Sequence, residues 1–102
     1  MRDNTKGDTD MVVEHVNGKN AGQIMIYALS TCGWCHKTKK LLDDMGVAYD
    51  YEYVDLLQGK DKEDTVKAVK KWNPRCTYPT LIIDSQCVVG FDEPKIRELL
   101  KA

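Results

Sequence analysis

Residues 23–45 of this chain read QIMIYALSTCGWCHKTKKLLDDM, and the change of pattern inside this stretch decides the fold. The first part, residues 23–29, is almost continuously apolar and predicts a strand. Over Gly33–Met45 the apolar residues recur at the spacing of a helix. Cys32 and Cys35 therefore lie where a strand gives way to a helix.

The predicted helix is amphipathic and has a clear end. One face carries its apolar and small residues, Cys35, Thr38, Leu41, Leu42 and Met45. Gly46 follows at once and is suited to end the helix, because glycine readily adopts the left-handed conformation that closes many helices. Residues 47–54 then alternate with period two through Tyr49, Tyr51 and Tyr53, which predicts a strand with the tyrosines on one face. A strand, a crossover helix and a second strand build a parallel pair.

The N-terminal part of the chain predicts a short hairpin. Residues 1–10 show no apolar periodicity and are expected to form a flexible tail. Residues 11–16 read as a strand, and Asn17-Gly18 is a turn dipeptide. We therefore expect a hairpin that leads into the strand at 23–29, although one turn signal does not fix the partner of the first strand.

The second half of the chain alternates helix and strand signals. Residues 61–72 begin with acidic side chains and space their apolar residues by three, which predicts a helix. Thr80–Ile83 and Cys87–Phe91 read as short strands joined by three residues, and Asp92 can cap a last helix. The order β-β-α-β-α-β-β-α describes an α/β fold with one mixed sheet flanked by three helices. Without the extra N-terminal strand, it is the order of the thioredoxin fold.

Composition favours one folded domain of ordinary make-up. Of the 102 residues, 42% are hydrophobic and 30% are charged, so residues 11–102 suffice for a single domain. The formal net charge of -1 offers no field to attract nucleic acid or acidic membranes. No run reaches the ~20 apolar residues of a membrane span, and the N-terminus lacks the apolar core of a secretory signal. We therefore expect a cytoplasmic monomer whose partners are small molecules or other proteins.

The spacing of Cys32 and Cys35 points to redox chemistry. Two cysteines three apart at a helix start are neighbours, and the first lies where unpaired backbone N–H groups favour an anion. We expect Cys32 to ionise more readily and to attack a substrate disulfide, after which Cys35 resolves the mixed disulfide. A C-x-x-C pair also serves zinc ribbons, iron–sulfur clusters and purely structural sites. Its position between a strand and a helix favours the redox interpretation.

Three motifs carry a resemblance to a known family. They are IMIYALSTCGWC at 24–35, TYPT at 77–80 and VVGFDE at 88–93. With them the chain resembles the glutaredoxin and glutaredoxin-like redoxin family over about residues 24–100. The resemblance implies a thiol–disulfide oxidoreductase that reduces protein or low-molecular-weight disulfides and has no tightly bound cofactor.

The resemblance also implies binding residues near the cysteine pair. Pro79 would be a cis-proline facing the cysteines, and Thr77 and Tyr78 would form the loop that binds a substrate. Without the resemblance, Tyr78-Pro79 reads as a plain loop into a strand. Trp34 either contacts partners or only covers the helix start, and Asp92 either binds a ligand's amino group or only caps the last helix.

Two departures from the family pattern concern the electron donor. Glutathione-using members usually have a basic residue three before the first cysteine and a paired glycine before the last helix. This chain has Leu29 and Val89-Gly90 at those places. Gly90-Phe91 followed by Pro94 is closer to the redoxins that accept electrons from a flavin disulfide reductase. The expected donor is therefore either such a thioredoxin-reductase-type flavoenzyme or a small thiol.

The remaining glycine and cysteines leave alternatives open. Family members with glycine after the first cysteine, as Gly33 here, sometimes assemble a [2Fe-2S] cluster across a dimer. A protein that binds an iron–sulfur cluster or zinc through Cys32 is thus the alternative function. Cys76 is either a third redox thiol or a space-filling residue, and Cys87 reads as a packing residue. Ten residues separate Cys76 from Cys87, which does not fit a zinc ribbon.

Overall fold

The computed structural model describes residues 13–100, which form five strands and three α-helices. The strands are β1 (Glu14–Val16), β2 (Ile24–Ala28), β3 (Tyr49–Tyr53), β4 (Thr80–Ile83) and β5 (Gln86–Val89), and the helices are α1 (Gly33–Met45), α2 (Gly59–Trp72) and α3 (Glu93–Leu100). One 3-10 turn, Val54–Leu56, follows β3. The predicted tail at 1–10 and residues 11–12 of the predicted first strand lie outside the described residues. Within 13–100, no helix combines the length and the apolar character needed to cross a membrane.

One mixed sheet carries the fold, with the strand order β1-β3-β2-β4-β5. β2 and β3 are parallel, with Met25 opposite Asp50, and α1 is the crossover between them. β4 pairs antiparallel with both β2 and β5. The predicted strand–helix–strand unit and the mixed sheet are confirmed.

The predicted N-terminal hairpin is wrong, because β1 pairs antiparallel with β3 and not with β2. Both edges of β2 are occupied, by β3 and β4, so no edge of β2 remains for β1. The chain around Gly18 instead runs against the backbone that follows α1, where the Ala48 N–H donates to the Lys19 carbonyl at 2.9 Å. A Cβ on Gly18 would lie 2.6 Å from the carbonyl carbon of Val47. Glycine is needed there for close approach of two backbones.

The connection between β4 and β5 is shorter than predicted. Ile83 pairs with Gln86, so the turn consists of two residues, Asp84-Ser85. Strand β5 also ends earlier than predicted. Gly90, with a φ of 79°, turns the chain out of the sheet before Phe91.

Different helices cover the two faces of the sheet. The main core lies on the face of α1 and α3 and contains Ile24, Ile26, Ala28, Leu41, Leu42, Leu81, Val88, Ile96 and Leu100. The three tyrosines of β3 share this face, as predicted, with adjacent ring centroids 6.2 and 5.4 Å apart. On the opposite face, Met25, Tyr27 and Glu52 line a cavity together with residues of α2. The cysteine-bearing helix therefore starts above the well-packed face.

Candidate active site

Cys32 stands at the junction between β2 and α1. Its N–H donates to the Leu29 carbonyl at 3.1 Å, which closes a tight turn after the strand. Cys32 is the N-cap of α1, with φ −91° and ψ 118°. Its carbonyl accepts from the His36 N–H at 3.2 Å. The thiol thus lies at the helix end where unpaired N–H groups concentrate positive charge.

A backbone hydrogen bond joins the two cysteines. The backbone N–H of Cys35 donates to the Cys32 sulfur at 3.2 Å. The sulfur takes the place of the side-chain oxygen that usually caps a helix. Cys32 is partly exposed, whereas Cys35 is 0% exposed. A substrate can therefore reach Cys32 but not Cys35.

Burial separates the two thiols chemically. Burial, followed by a side-chain hydrogen bond from the Cys35 thiol to the Cys32 sulfur, raises the pKa of Cys35 to about 12. The charge of Asp55 acts in the same direction. Because a raised pKa favours the protonated form, Cys35 remains a thiol at neutral pH and has a proton to donate toward the Cys32 sulfur. This asymmetry is the one expected of an attacking and a resolving cysteine.

Three side-chain hydrogen bonds hold the loop before Cys32. The Asp55 carboxylate accepts from the backbone N–H of Ser30 at 2.8 Å and from its hydroxyl at 2.6 Å, and these bonds lower the pKa of Asp55. The ring Nε2 of His36 lies 2.9 Å from the Ser30 carbonyl and must be the donor, because a carbonyl only accepts. We call Ser30, Asp55 and His36 the Ser30 clamp. It ties the loop to the 3-10 turn after β3 and to the first turn of α1.

The loop before β4 reaches the same region from the other side. The Tyr78-Pro79 peptide bond is cis, as the resemblance implies. Pro79 is fully buried, and its carbonyl accepts from the Gly90 N–H at 2.9 Å. Tyr78 packs against the main core, as Cys32 does.

An aromatic cavity of about 270 Å³ opens where this loop meets the start of α1. It is lined by Trp34, Tyr78, Pro79, Gly90 and Phe91. Trp34 is 58% exposed and stacks on Phe91, with 6.0 Å between ring centroids. The Lys37 ammonium lies 5.0 Å from the centroid of the Trp34 ring, a cation–π contact. We call this the Trp34–Phe91 cavity.

Three of the five predicted substrate-binding residues line this cavity, and Thr77 and Asp92 do not. The carbonyl and hydroxyl of Thr77 accept from the buried Asn73 amide at 3.1 and 3.0 Å, and the Thr80 hydroxyl also donates to that carbonyl at 2.7 Å. Thr77 thereby fixes the shape of the loop. Asp92 accepts from the Lys95 N–H at 3.3 Å and caps α3.

Sequence reasoning missed Phe91 and Asp55. Phe91 was predicted inside a strand, and the signal that could have moved it out is Gly90, a glycine that ends a strand by turning the chain. Asp55 follows β3 and has no motif around it. It reaches Ser30, 25 residues earlier, only because β2 and β3 run side by side.

The other two cysteines, Cys76 and Cys87, lie in two different environments outside the Cys32–Cys35 pair. The Cys76 sulfur is 3.4 Å from the Tyr78 hydroxyl, and burial together with this contact raises the pKa of Tyr78. Cys76 also has a positive φ of 53°. Cys87 lies on β5, partly buried, and burial raises its pKa. Within residues 13–100, no three His, Cys, Asp or Glu side chains come together as ligands for a metal ion.

Two crystal structures from Methanosarcina share this fold. A glutaredoxin from Methanosarcina mazei Go1 is 49% identical with a TM-score of 0.82, and the match covers 90% of each chain. The methanoredoxin of Methanosarcina acetivorans is 47% identical with a TM-score of 0.83, and the match covers 93% of this chain and 100% of the other. The fold and the site therefore define a thioredoxin-like α/β protein of the thiol–disulfide oxidoreductase kind.

Sequence comparison gives the family. The family model for glutaredoxin matches residues 24–88. Glutaredoxin 1 of Rickettsia prowazekii (strain Madrid E) is 39% identical over 70 residues, which are 69% of this chain and 70% of that protein. The chain belongs to the glutaredoxin family.

Proposed function

We propose that this protein reduces protein or low-molecular-weight disulfides through its C-G-W-C dithiol, with Cys32 as nucleophile and Cys35 as resolving cysteine. The observation that carries the proposal is the 3.2 Å hydrogen bond from the Cys35 N–H to the accessible Cys32 sulfur, together with the complete burial of Cys35. An N–H group aimed at a sulfur stabilises negative charge on it. The sulfur that a substrate can reach is thus the one prepared to attack.

The reaction proceeds in two exchanges. The Cys32 thiolate forms a bond with one substrate sulfur, the substrate S–S bond breaks, and the departing sulfur leaves as a thiolate that takes up a proton. Cys35 then loses its proton and attacks the Cys32 sulfur, which expels the second substrate sulfur as a thiol. The substrate gains two electrons and the enzyme keeps a Cys32–Cys35 disulfide, which a donor must reduce. Because burial and Cys32 raise the pKa of Cys35, its deprotonation belongs to the second exchange.

The Trp34–Phe91 cavity is suited to bind the substrate backbone next to the substrate's disulfide. Tyr78 and Pro79 form one wall and the stacked aromatic rings form the other. Lys37 adds a positive charge at the rim, which suits an anionic thiol or an acidic peptide. Thr77 and Asp92 support this cavity by holding the loop and helix α3.

Two classes of electron donor are considered for this chain. Glutathione is the usual co-substrate of the glutaredoxin family. Leu29 stands where glutathione-using members usually have a basic residue. We therefore propose either a small thiol or a flavin disulfide reductase of the thioredoxin-reductase type as donor, in the cytoplasm, where thiols stay reduced.

The test is disulfide reduction with three separate donors: glutathione with its reductase, thioredoxin reductase with NADPH, and a small thiol such as cysteine. We expect turnover with at least one donor and its loss in Cys32→Ser. Cys87→Ser is the matched control, because Cys87 lies on β5 and outside the cavity lining, and it should keep full turnover. Absence of turnover with all three donors, in protein with confirmed free thiols, would refute the proposal.

Cluster binding is the alternative function. Cys32 is partly exposed, and a Cβ added to the adjacent Gly33 would have no neighbour within 4 Å, so open space lies beside residue 33. A [2Fe-2S] cluster would take Cys32 from each of two copies together with a thiol cofactor. Anaerobic purification distinguishes the functions: visible absorbance and bound iron that disappear in Cys32→Ser, without disulfide turnover, would favour the cluster.

A further inference from the structure

A second cavity lies between the sheet and α2, on the face away from α1. Its volume is about 440 Å³, and it is partly open to solvent. Met25, Tyr27 and Glu52 line it from the sheet, and Asp61 and Asp64 line it from α2. We call this the Glu52 cavity.

Glu52 is buried without a partner among the described residues. Its exposed fraction is 6%, and no residue between 13 and 100 donates a hydrogen bond to its carboxylate or forms an ion pair with it. The Tyr27 hydroxyl, next to it in the sheet, has no hydrogen bond within the same range. A buried carboxylate is costly unless it is paired. Among residues 13–100, the cavity therefore holds a buried acceptor for which no described side chain supplies a donor.

The charge of the cavity selects a cation. Two further carboxylates, Asp61 and Asp64, line it, and no basic residue does among those described. Lys60 approaches Asp64 to 3.7 Å, but both side chains are largely exposed and such pairs contribute little. Burial, followed by the charge of Asp61, raises the pKa of Glu52, as expected where negative charge lacks compensation.

The lining also decides which kind of cation fits. Within residues 13–100, no three acidic, histidine or cysteine side chains converge closely enough for a metal ion. Met25 and Ala68 instead provide apolar surface beside the carboxylates. The volume lies in the usual range of small-ligand pockets, roughly 300–1,000 Å³. An alkyl chain that ends in an ammonium group matches both parts of this lining.

We propose that the Glu52 cavity is a binding site for an alkylammonium group, with its nitrogen on Glu52 and its alkyl chain along Met25 and Ala68. The group belongs either to a free aliphatic amine or to a lysine side chain of a partner protein. Both present the same chemistry to the cavity. The site is separate from the redox pair, since it lies on the opposite face of the sheet.

The test is calorimetric titration of the full reduced chain with putrescine and with N-acetyl-lysine amide, with 1,4-butanediol as the uncharged analogue. We expect at least one amine to bind, and its affinity to be at least tenfold weaker in Glu52→Gln. Glu98→Gln is the control, because Glu98 is an exposed carboxylate on α3, and it should leave the affinity unchanged. Amide chemical shifts in the NMR spectrum should change around Tyr27 and Thr65. Tighter binding of putrescine would identify a free amine as the source, and tighter binding of the lysine analogue would identify a protein side chain.

Three outcomes would overturn the proposal: no binding of either amine at millimolar concentration, equal binding to folded Glu52→Gln, or equal binding of butanediol. Thermal unfolding of Glu52→Gln shows whether that variant is folded. Cys32→Ser should bind the amine as the unchanged chain does, so the result is independent of disulfide reduction.

Discussion

Replacing Asp55 by alanine tests the Ser30 clamp. The substitution removes both acceptors for Ser30, at 2.8 and 2.6 Å. A typical hydrogen bond has a net worth of about 0.5–1.5 kcal/mol, and water competes for an exposed carboxylate, so the low end applies to each bond. The free energy of unfolding should fall by about 1 kcal/mol. In a domain of this size that lowers the melting temperature by about 4–8 °C.

The effect should depend on pH in one direction. The Ser30 hydrogen bonds lower the pKa of Asp55 from its ordinary 3.8. A carboxyl whose folded pKa is depressed stabilises the protein above its ordinary pKa and loses that contribution as pH falls through the folded pKa. The melting-temperature difference between the unchanged chain and Asp55→Ala should therefore be full at pH 7 and shrink below about pH 4. Glu98→Ala, at an exposed site, is the matched control.

The same variant should disturb the nucleophile. Without the two Asp55 bonds, only His36 holds Ser30, and the loop positions the Cys32 sulfur against the Cys35 N–H less firmly, so alkylation of Cys32 by iodoacetamide at pH 7 should slow. Ser30→Ala keeps the backbone bond and should show about half the loss of stability. An unchanged melting temperature and alkylation rate in Asp55→Ala, or a difference that does not vary with pH, would refute the reasoning.

Three further predictions address the site and the fold. Cys35→Ser should trap the mixed disulfide on Cys32 when a substrate disulfide is added, and the mass of the intact protein measures this adduct. Accumulation of free reduced product at the normal rate would exclude Cys35 as the resolving residue. Phe91→Leu keeps an apolar side chain but removes the ring stacked on Trp34, so KM for disulfide substrates should rise about 2–10-fold, while the melting temperature falls by only a few degrees. An unchanged KM would show that the cavity does not bind substrate. Gly18→Ala places a Cβ 2.6 Å from backbone and should cost about 1–3 kcal/mol in urea unfolding. Gly33→Ala, with nothing within 4 Å, should not destabilise, and equal losses in both variants would contradict the close-approach argument.

Local signals predicted the redox helix. The helix is expected over about Gly33–Met45 and is found at Gly33–Met45, because its start and end are encoded beside it. The Cys32 sulfur accepts the Cys35 N–H as a cap at one end, and Gly46 adopts the left-handed conformation, with φ 70°, at the other. Both signals involve residues within one helical turn of the boundary, so they can be read without knowledge of the fold.

Competition between distant strands could not be predicted in the same way. The apolar strand β2 looked like a natural partner for β1, but β3 and β4 occupy its edges. Which strand pairs with each edge of β2 depends on burial summed over the whole sheet and not on the Asn17-Gly18 turn signal. Asp55 was missed for the same reason, since its partner Ser30 becomes its neighbour only after β2 and β3 pair.

The Trp34–Phe91 cavity depends on a turn at the far end of its own hairpin. The two-residue turn Asp84-Ser85 sets the register in which Thr80 lies opposite Val89, and this register brings the Pro79 carbonyl within 2.9 Å of the Gly90 N–H. Leu81 and Val88, paired in the same register, are both buried in the main core. A slip of one residue would send one strand's apolar side chains to the wrong face, so the core itself enforces the register. The cis-proline loop and Phe91 are therefore fixed side by side by packing on the α1 face, and the aromatic wall of the cavity follows from the same contacts that hold the sheet together.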